Sequence, residues 1–366
     1  MTLSRGGRPT RAAPLPSHPG NTYLPFASLV ALKRINNTRY QSIAPAYAPG
    51  GPVGVGRCYG GHVYMQAAWA ASQTVPPGFE LHSVSGNFIL AGELNSSFVY
   101  EVQIIRNGRS YCTRTVHVTQ GEGKGICFTC ICSFKTPEHE QVDSQHALNL
   151  YEHYASILHG QSPSSFPEVP GMDVPFYHQR RLETGLNDEF PGLECRRVDM
   201  LAYNRDRHPL DRRQLIFYRT IGDLPEDPNM HLSAHLYATD RNSLFIVANH
   251  FELGDYFTSM SSLVHTVTFH SPFGSLRFGP GGGGASPMDD LKGRWFCLEA
   301  WGSRMSGGRA TFHCRLWNSA GEHIATGMQD GLIRYLQDPL KPTEEELKVM
   351  ESTTNRWRGK DKTTKL

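Results

Sequence analysis

Side chains able to do chemistry are spread thinly along these 366 residues, and most fall into patterns that serve other ends. Cys127-Phe-Thr-Cys130 has the spacing of a zinc knuckle. Ile126, Phe128, Cys130, Cys132 and Phe134, however, alternate as one face of a strand, and no second Cys/His pair lies nearby, so packing thiols are expected and no metal. His82, His265 and His270 invite a Ser/His triad, but no Gly-x-Ser-x-Gly elbow stands between a strand and a helix, and they read as core or interface histidines. Gly279-Pro-Gly-Gly-Gly-Gly284 lacks the following helix N-terminus that a phosphate cradle needs and reads as a flexible insertion over 278–287. Asp240 stands out as a poor helix former within a helical run, where it ends the helix, pairs with Arg241 or acts in catalysis.

Those residues need elements to position them. Gly60 to Val75 reads as one helix of about four turns, rich in alanine and closed by Pro76-Pro77. Apolar residues point in every direction around it, so a large surface must bury it. The runs Leu81 to Leu90, Phe98 to Ile105, Ser110 to Thr119 and Gly125 to Phe134 supply that surface as strands. Leu24 to Ile35 reads as a short helix and Tyr40 to Ile43 as a strand. The second half repeats the order: a helix over Met230 to Val247, then strands over Ser262 to Phe269, Trp295 to Trp301, Ala310 to Trp317 and His323 to Leu332. Two copies of one unit would pair their sheets into a single layer.

The organisation expected is a disordered tail over 1–22, a first repeat over 23–138, a connection over 139–193 with a helix at Ser144 to Leu158, a second repeat over 194–336, and a C-terminal helix and basic tail over 337–366. Thr343 and Glu346 form a capping box for that last helix.

Composition narrows the class. A net charge of +2 gives no general reason to bind nucleic acid, and no stretch approaches the roughly 18 apolar residues of a membrane span. Eight cysteines without framework spacing point to reduced, mostly buried thiols. The acid-free, arginine-bearing start permits a mitochondrial transit peptide, although its prolines spoil the helix such a peptide uses. Lys360-Asp-Lys-Thr-Thr-Lys365-Leu366 ends close to the Ser-Lys-Leu peroxisomal address, with Thr364 in place of the small first residue. A peroxisome is the expected compartment, with Thr364-Lys365-Leu366 offered to an import receptor; cytoplasm or mitochondrion is the alternative.

Several stretches, taken in order, resemble the acyl-CoA thioesterase II family: Gly60-Gly61-His62-Val63 through Ala71, Leu81-His82-Ser83, Arg106-Asn-Gly-Arg-Ser110 and Ser133-Phe-Lys-Thr-Pro-Glu138 in the first half. In the second are Tyr237-Ala-Thr-Asp240, His265 to Phe273, and Thr326-Gly-Met-Gln329-Asp-Gly331-Leu-Ile-Arg334. The resemblance spans most of 57–336. It implies an α+β double hot-dog, two tandem antiparallel sheets each wrapped around a long central helix. It also implies hydrolysis of fatty acyl-CoA to fatty acid and coenzyme A, without a cofactor, by a water held by Asp240, Ser262 and Gln329. Asp240 would accept from the water, the other two would hold it, and backbone N–H groups near Gly60-Gly61 or their echo would polarise the carbonyl.

Substrate contacts expected on the same footing are Gly60, Gly61, His62, His82 and Arg57, with His82 lining an acyl tunnel. Trp69, Phe88, Phe257 and Phe269 would set its depth. For the coenzyme A phosphates the candidates are Arg57, Arg106 and Arg109, or Arg277 and Lys292. The family usually has Gln at His62 and often Thr at Ser262. A homo-oligomer associating through sheets is expected. Two other readings keep the fold: an acyl-CoA-binding protein without hydrolysis, and an enoyl-CoA hydratase. The hydratase would want a His five residues after its Asp, where this chain has Phe245.

Overall fold

A computed structural model describes residues 22–49, 57–138, 142–146, 149–184, 189–253, 257–279, 294–335 and 343–350. Most of the tail expected over 1–22, most of the glycine-rich insertion, Lys292 and the C-terminal Thr364-Lys365-Leu366 lie outside them.

The strands are β1 (Leu32–Arg34), β2 (Arg39–Ser42), β3 (Glu80–Phe88), β4 (Phe98–Asn107), β5 (Tyr111–Gln120), β6 (Ile126–Lys135), β7 (Leu193–Arg197), β8 (Gln214–Thr220), β9 (Phe257–Phe269), β10 (Phe296–Ser306), β11 (Arg309–Trp317) and β12 (His323–Tyr335). The helices are α1 (Phe26–Val30), α2 (Gly60–Ser72), α3 (Leu150–His153), α4 (Ala155–Leu158), α5 (Pro175–Thr184), α6 (Leu201–Asn204), α7 (Pro228–Thr239), α8 (Ser243–His250) and α9 (Phe273–Leu276). All twelve strands join one antiparallel sheet in the order β1-β2-β4-β5-β6-β3-β9-β12-β11-β10-β8-β7. The two halves meet where β3 pairs with β9, from Ser83 opposite Thr268 to Asn87 opposite Val264. The tandem sheets expected from the repeat are therefore one layer.

The all-round apolar sequence of α2 has the consequence its composition demands, for every residue from Gly61 to Ser72 is buried. Its one long polar side chain in the middle, Gln66, is satisfied: Nε2 donates to the Leu29 carbonyl at 3.0 Å and Oε1 accepts from Tyr100 at 2.6 Å. Helix α7 lies beside α2 and runs antiparallel to it. Tyr59, just before α2, donates to the Tyr237 carbonyl near the end of α7 at 2.6 Å, and Asn229 near the start of α7 donates to the Phe79 carbonyl and accepts from the Leu81 N–H at the start of β3.

Three expectations need correction. The helix over Met230 to Val247 breaks after Thr239, because Asp240 takes φ −91°, ψ 0° and Asn242 takes the left-handed φ of +55° before α8 starts. Asp and Asn compete with helical hydrogen bonding, and Asn tolerates the left-handed region better than most residues. The helix over Leu24 to Ile35 is only α1, followed by strand β1. The helix at Ser144 to Leu158 is two short turns, α3 and α4, ended by a left-handed His159. Thr343 and Glu346 make the reciprocal capping bonds expected of them, at 2.8 and 3.2 Å.

One irregularity matters for the site. Val264 pairs with Asp330 and Ser262 with Gly331, so Leu263 is an extra residue bulged out of β9. His265 and Ser262 are three apart and would face opposite sides of a regular strand. The bulge shifts the parity and turns Ser262 to the inner, helix-covered side with Gln329, which pairs with His265.

Candidate active site

Asp240 is placed by two helix ends. It ends α7, as one reading of the sequence had it, and its side chain reaches the start of α2. There Oδ2 accepts the Gly61 N–H at 2.8 Å. No side chain of the preceding residue caps α2, so this carboxylate, 179 positions later in the chain, supplies the cap. The other oxygen, Oδ1, accepts from Gln329 Nε2 at 2.8 Å and from Ser243 Oγ at 3.2 Å. Gln329 Nε2 donates its second hydrogen to Ser262 Oγ at 2.5 Å. Asp240, Gln329 and Ser262 therefore form one hydrogen-bonded row, brought together from the end of α7, from β12 and from the bulged part of β9.

Glycine is needed at the start of α2. A Cβ on Gly60 would sit 2.9 Å from Asp240 Oδ2 and 3.0 Å from the Phe88 ring, and one on Gly61 would enter the Tyr59 ring at 2.5 Å.

Burial raises the Asp240 carboxyl from its ordinary 3.8 to about 6. Gln329, the Gly61 N–H and the hydroxyls of Ser243 and Ser262 hold it down against that pull. A carboxylate poised near 6 is ionised at neutral pH and still basic enough to take a proton from a water adding to a carbonyl.

The row borders a cavity of about 290 Å³. Asp240, Ser243 and Ser262 provide polar wall, with Arg57 at the exposed rim, while Phe88, Leu244, Phe245, Phe257 and Met260 provide apolar wall. Of the four aromatics expected to set a tunnel depth, Phe88 and Phe257 line this cavity, whereas Trp69 and Phe269 do not. Gln329 is fully buried behind the wall, and both hydrogens of its amide are given to Asp240 and Ser262.

The sequence-based set divides accordingly. Gly60, Arg57, Asp240 and Ser262 line the cavity, and Gly61 touches it through Asp240. His62 does not line it: it is buried on α2 against Phe98, where desolvation lowers its imidazole to about 4. Nor does His82, which packs edge-on to Tyr111 and sits near Lys135 and Glu138. Both side chains pack elsewhere, a matter of helical and strand phase that the residue type does not reveal. His265 is a core histidine, donating to Thr239 Oγ1 at 2.8 Å and lowered to about 3 by burial. Among the phosphate candidates, Arg106 and Arg277 are also absent from the cavity wall, and Arg277 is paired with Glu226.

Sequence reasoning missed Arg241, Asn242 and Ser243. Arg241 does not pair with Asp240. It is buried over the Phe190 ring and donates to the carbonyls of Val169, Pro170 and Gly171 at 3.2, 2.7 and 3.0 Å, which ties the 169–171 strap to the helix break. Ser243 was findable as a hydroxyl three residues past a helix-ending Asp. At the corresponding end of α2 the chemistry is inverted: buried Arg114 donates to Thr74 Oγ1 and carbonyl and to Asn107, so a cation fills the place a carboxylate holds beside α7.

Comparison with known proteins identifies the family. Residues 49–135 match the acyl-CoA thioesterase N-terminal domain and residues 183–333 the acyl-CoA thioesterase C-terminal domain, together well over half of the chain. The chain belongs to the acyl-CoA thioesterase II family. A mouse relative, acyl-coenzyme A thioesterase 8, is 26% identical over 305 residues, which are 80% of this chain and 83% of that one. Among solved structures, acyl-CoA thioesterase II TesB2 from Mycobacterium marinum superposes with a TM-score of 0.59 at 23% identity, covering 87% of this chain and 99% of its own. A protein of unknown function with a hot-dog fold from Alicyclobacillus acidocaldarius gives a TM-score of 0.58 at 14% identity, covering 85% and 98%. The thioesterase II chain described here thus has a largely antiparallel hot-dog fold, and the described residues include no helix long and apolar enough to cross a membrane.

Proposed function

We propose that this thioesterase hydrolyses fatty acyl-CoA with Asp240 as the base and Ser262 as the second anchor of the attacking water. The observation that carries the reading is the Asp240 carboxylate, buried at the cavity wall, held by Gly61, Gln329 and Ser243, and pushed up to about 6. In the step so read, a water gives a proton to Asp240 as its oxygen adds to the thioester carbon, and the carbonyl electron pair moves to oxygen. Collapse re-forms the C=O bond and breaks C–S with its electron pair leaving on sulfur, and the proton held by Asp240 passes to that thiolate. A thiolate is a good leaving group, so no strong acid is required.

Gln329 is assigned a positioning role. Its amide aligns the carboxylate with the serine from behind the wall instead of touching the water. Arg57 at the rim is the cation placed to meet a coenzyme A phosphate. The architecture is read as a double hot-dog whose central helices are α2 and α7, with the organisation along the chain given above and the catalytic row in the second repeat. Phe245, in the cavity wall five residues past Asp240, disfavours the hydratase reading.

Import into peroxisomes through Thr364-Lys365-Leu366 is proposed on the terminal sequence, and association into oligomers through the sheet on its open outer face, where Ile131 and Met328 stand exposed. Deleting the last three residues from a fluorescent fusion tests the first, and light scattering the second.

The function is tested by free-thiol release from a chain-length series of acyl-CoAs, comparing wild type with Asp240→Ala. Release by wild type that drops at least about a hundredfold in a folded variant supports the reading. No release from any acyl-CoA returns it to a binding protein.

A further inference from the structure

Asn242 combines three properties that a structural residue does not need. Its backbone is left-handed at φ +55°. Its side chain is 5% exposed, in the wall of the cavity that also holds Asp240 and Ser262. And its Nδ2 makes no hydrogen bond, although it is buried. Leaving an amide donor buried without a partner costs roughly 1–3 kcal/mol, so its retention calls for an explanation.

The orientation of the amide is fixed. Oδ1 accepts the Asp173 N–H at 3.2 Å, and a backbone N–H can only donate, so the oxygen must be on that side and the NH₂ group is the free end. Asp173 is itself immovable: its carboxylate contacts Arg197 at 2.7 Å and His178 at 2.9 Å, and its carbonyl accepts from Asn249 at 2.6 Å. Asn242 is also the residue immediately before α8. Ser243, Leu244 and Phe245, the first turn of that eight-residue helix, line the same cavity, so the positive end of its dipole lies there too. The other helix start at the site is less available, since Gly61 gives its N–H to Asp240.

We propose that Asn242 Nδ2 is a catalytic hydrogen-bond donor to the thioester carbonyl oxygen, assisted by the first turn of α8, and that it stabilises the oxyanion formed when water adds. The assignment rests on the thioesterase reading above. It places base and oxyanion donor two residues apart, on either side of one helix break. Asp240 takes the proton from water, and Asn242 meets the negative charge that appears on oxygen. A donor fixed before the reaction begins is worth more than one that must reorient.

The test uses the full chain and Asn242→Gly, which keeps the left-handed backbone without strain and removes only the amide. Melting temperature checks folding. We expect kcat for acyl-CoA hydrolysis to fall about 10²- to 10³-fold. The acid limb of the pH profile should stay near that of wild type, and affinity for an S-alkyl-CoA thioether, which has no carbonyl, should be unchanged. Asn242→Asp, which preserves the bond to Asp173 but presents no donor, should not rescue the rate. An unchanged kcat in Asn242→Gly beside an active wild type overturns the assignment and leaves the thioesterase reading standing. A fall in kcat accompanied by a moved acid limb and weaker thioether binding also overturns it, by showing that Asn242 only positions its neighbours. An inactive wild type would remove the thioesterase reading itself.

Discussion

Asp240 Oδ2 accepts the N–H of Gly61 at 2.8 Å, so a carboxylate from the second half of the chain caps the central helix of the first. The same atom group is the proposed base. Capping and burial therefore pull one ionisation in opposite directions: the helix N-terminus favours the anion, and the dry surroundings oppose it. Burial wins by enough to leave the carboxyl near 6.

The pH dependence of rate follows. Only the ionised form of Asp240 accepts a proton, so kcat/KM should rise tenfold per pH unit below about 6 and level off above it. Thiol release measured from pH 4.5 to 8 checks this. A plateau extending below pH 5 would rule out Asp240 as the base.

Stability carries the opposite signature. The folded carboxyl is raised above its unfolded value of 3.8, so the folded state binds the proton more tightly. The stability this confers is fully present below about pH 4 and is lost as pH rises through about 6, a change of about 3 kcal/mol at 1.4 kcal/mol per unit. Asp240→Asn does not titrate. The melting temperature of the variant relative to wild type should therefore climb between pH 4 and pH 7, and a constant difference would contradict the assigned shift.

Gln329→Ala removes a donor that holds the carboxyl down. With Gln329 gone, the Asp240 ionisation should move above about 6, carrying the acid limb of the rate profile upward, and kcat at neutral pH should fall. A Gln that touched only the water would lower kcat and leave the limb in place.

Gly60→Ala tests the close approach of α2 to the base. The added Cβ would stand 2.9 Å from Asp240 Oδ2 and 3.0 Å from Phe88, so the carboxylate must shift. A displacement of this size should cost roughly tenfold to a hundredfold in kcat with only modest loss of stability. Unaltered kinetics would show that the Asp240 position is not critical.

Arg241→Ala should act on substrate binding more than on chemistry. It releases three carbonyls of the 169–171 strap, whose Gly171 lines the cavity, and leaves the Asp240 donors untouched. We expect KM to rise severalfold with a smaller change in kcat, together with a lower melting temperature.

How far the sequence reveals this molecule depends on where each pattern is read. Helix α2 and strands β3–β6 are legible because one face of each strand is wet, and β5 alternates buried and open residues along nearly its whole length. Strand β8 is not, because both of its faces are covered: Ile216 and Tyr218 enter the main core while Leu215 and Phe217 enter a second core with Leu150, Tyr154 and Trp317. No period of two survives that. The break at Asp240 was hidden by apolar residues that continue on either side, and its left-handed Asn242 looks like any other polar residue in one dimension. His62 and His82 were candidates by residue type, but side-chain type does not carry direction. Gln329 was found only through family resemblance, since its partners lie 67 and 89 residues away.

The bulge at Leu263 makes the site depend on how β9 pairs as well as on which residues it carries. Placing Ser262 in the reactive row required not a change of residue but an odd count, one residue more on β9 than on the strand beside it. A point substitution at Leu263 keeps that count. Were Leu263 instead drawn into a regular ladder opposite Gly331, the segment before it would turn over and the serine would face solvent with every atom of its side chain intact, whereas deleting Leu263 would leave Ser262 opposite Gly331 on the inner face. In this fold the pairing register of one strand can therefore erase a reactive group that a residue-by-residue alignment would still record as present.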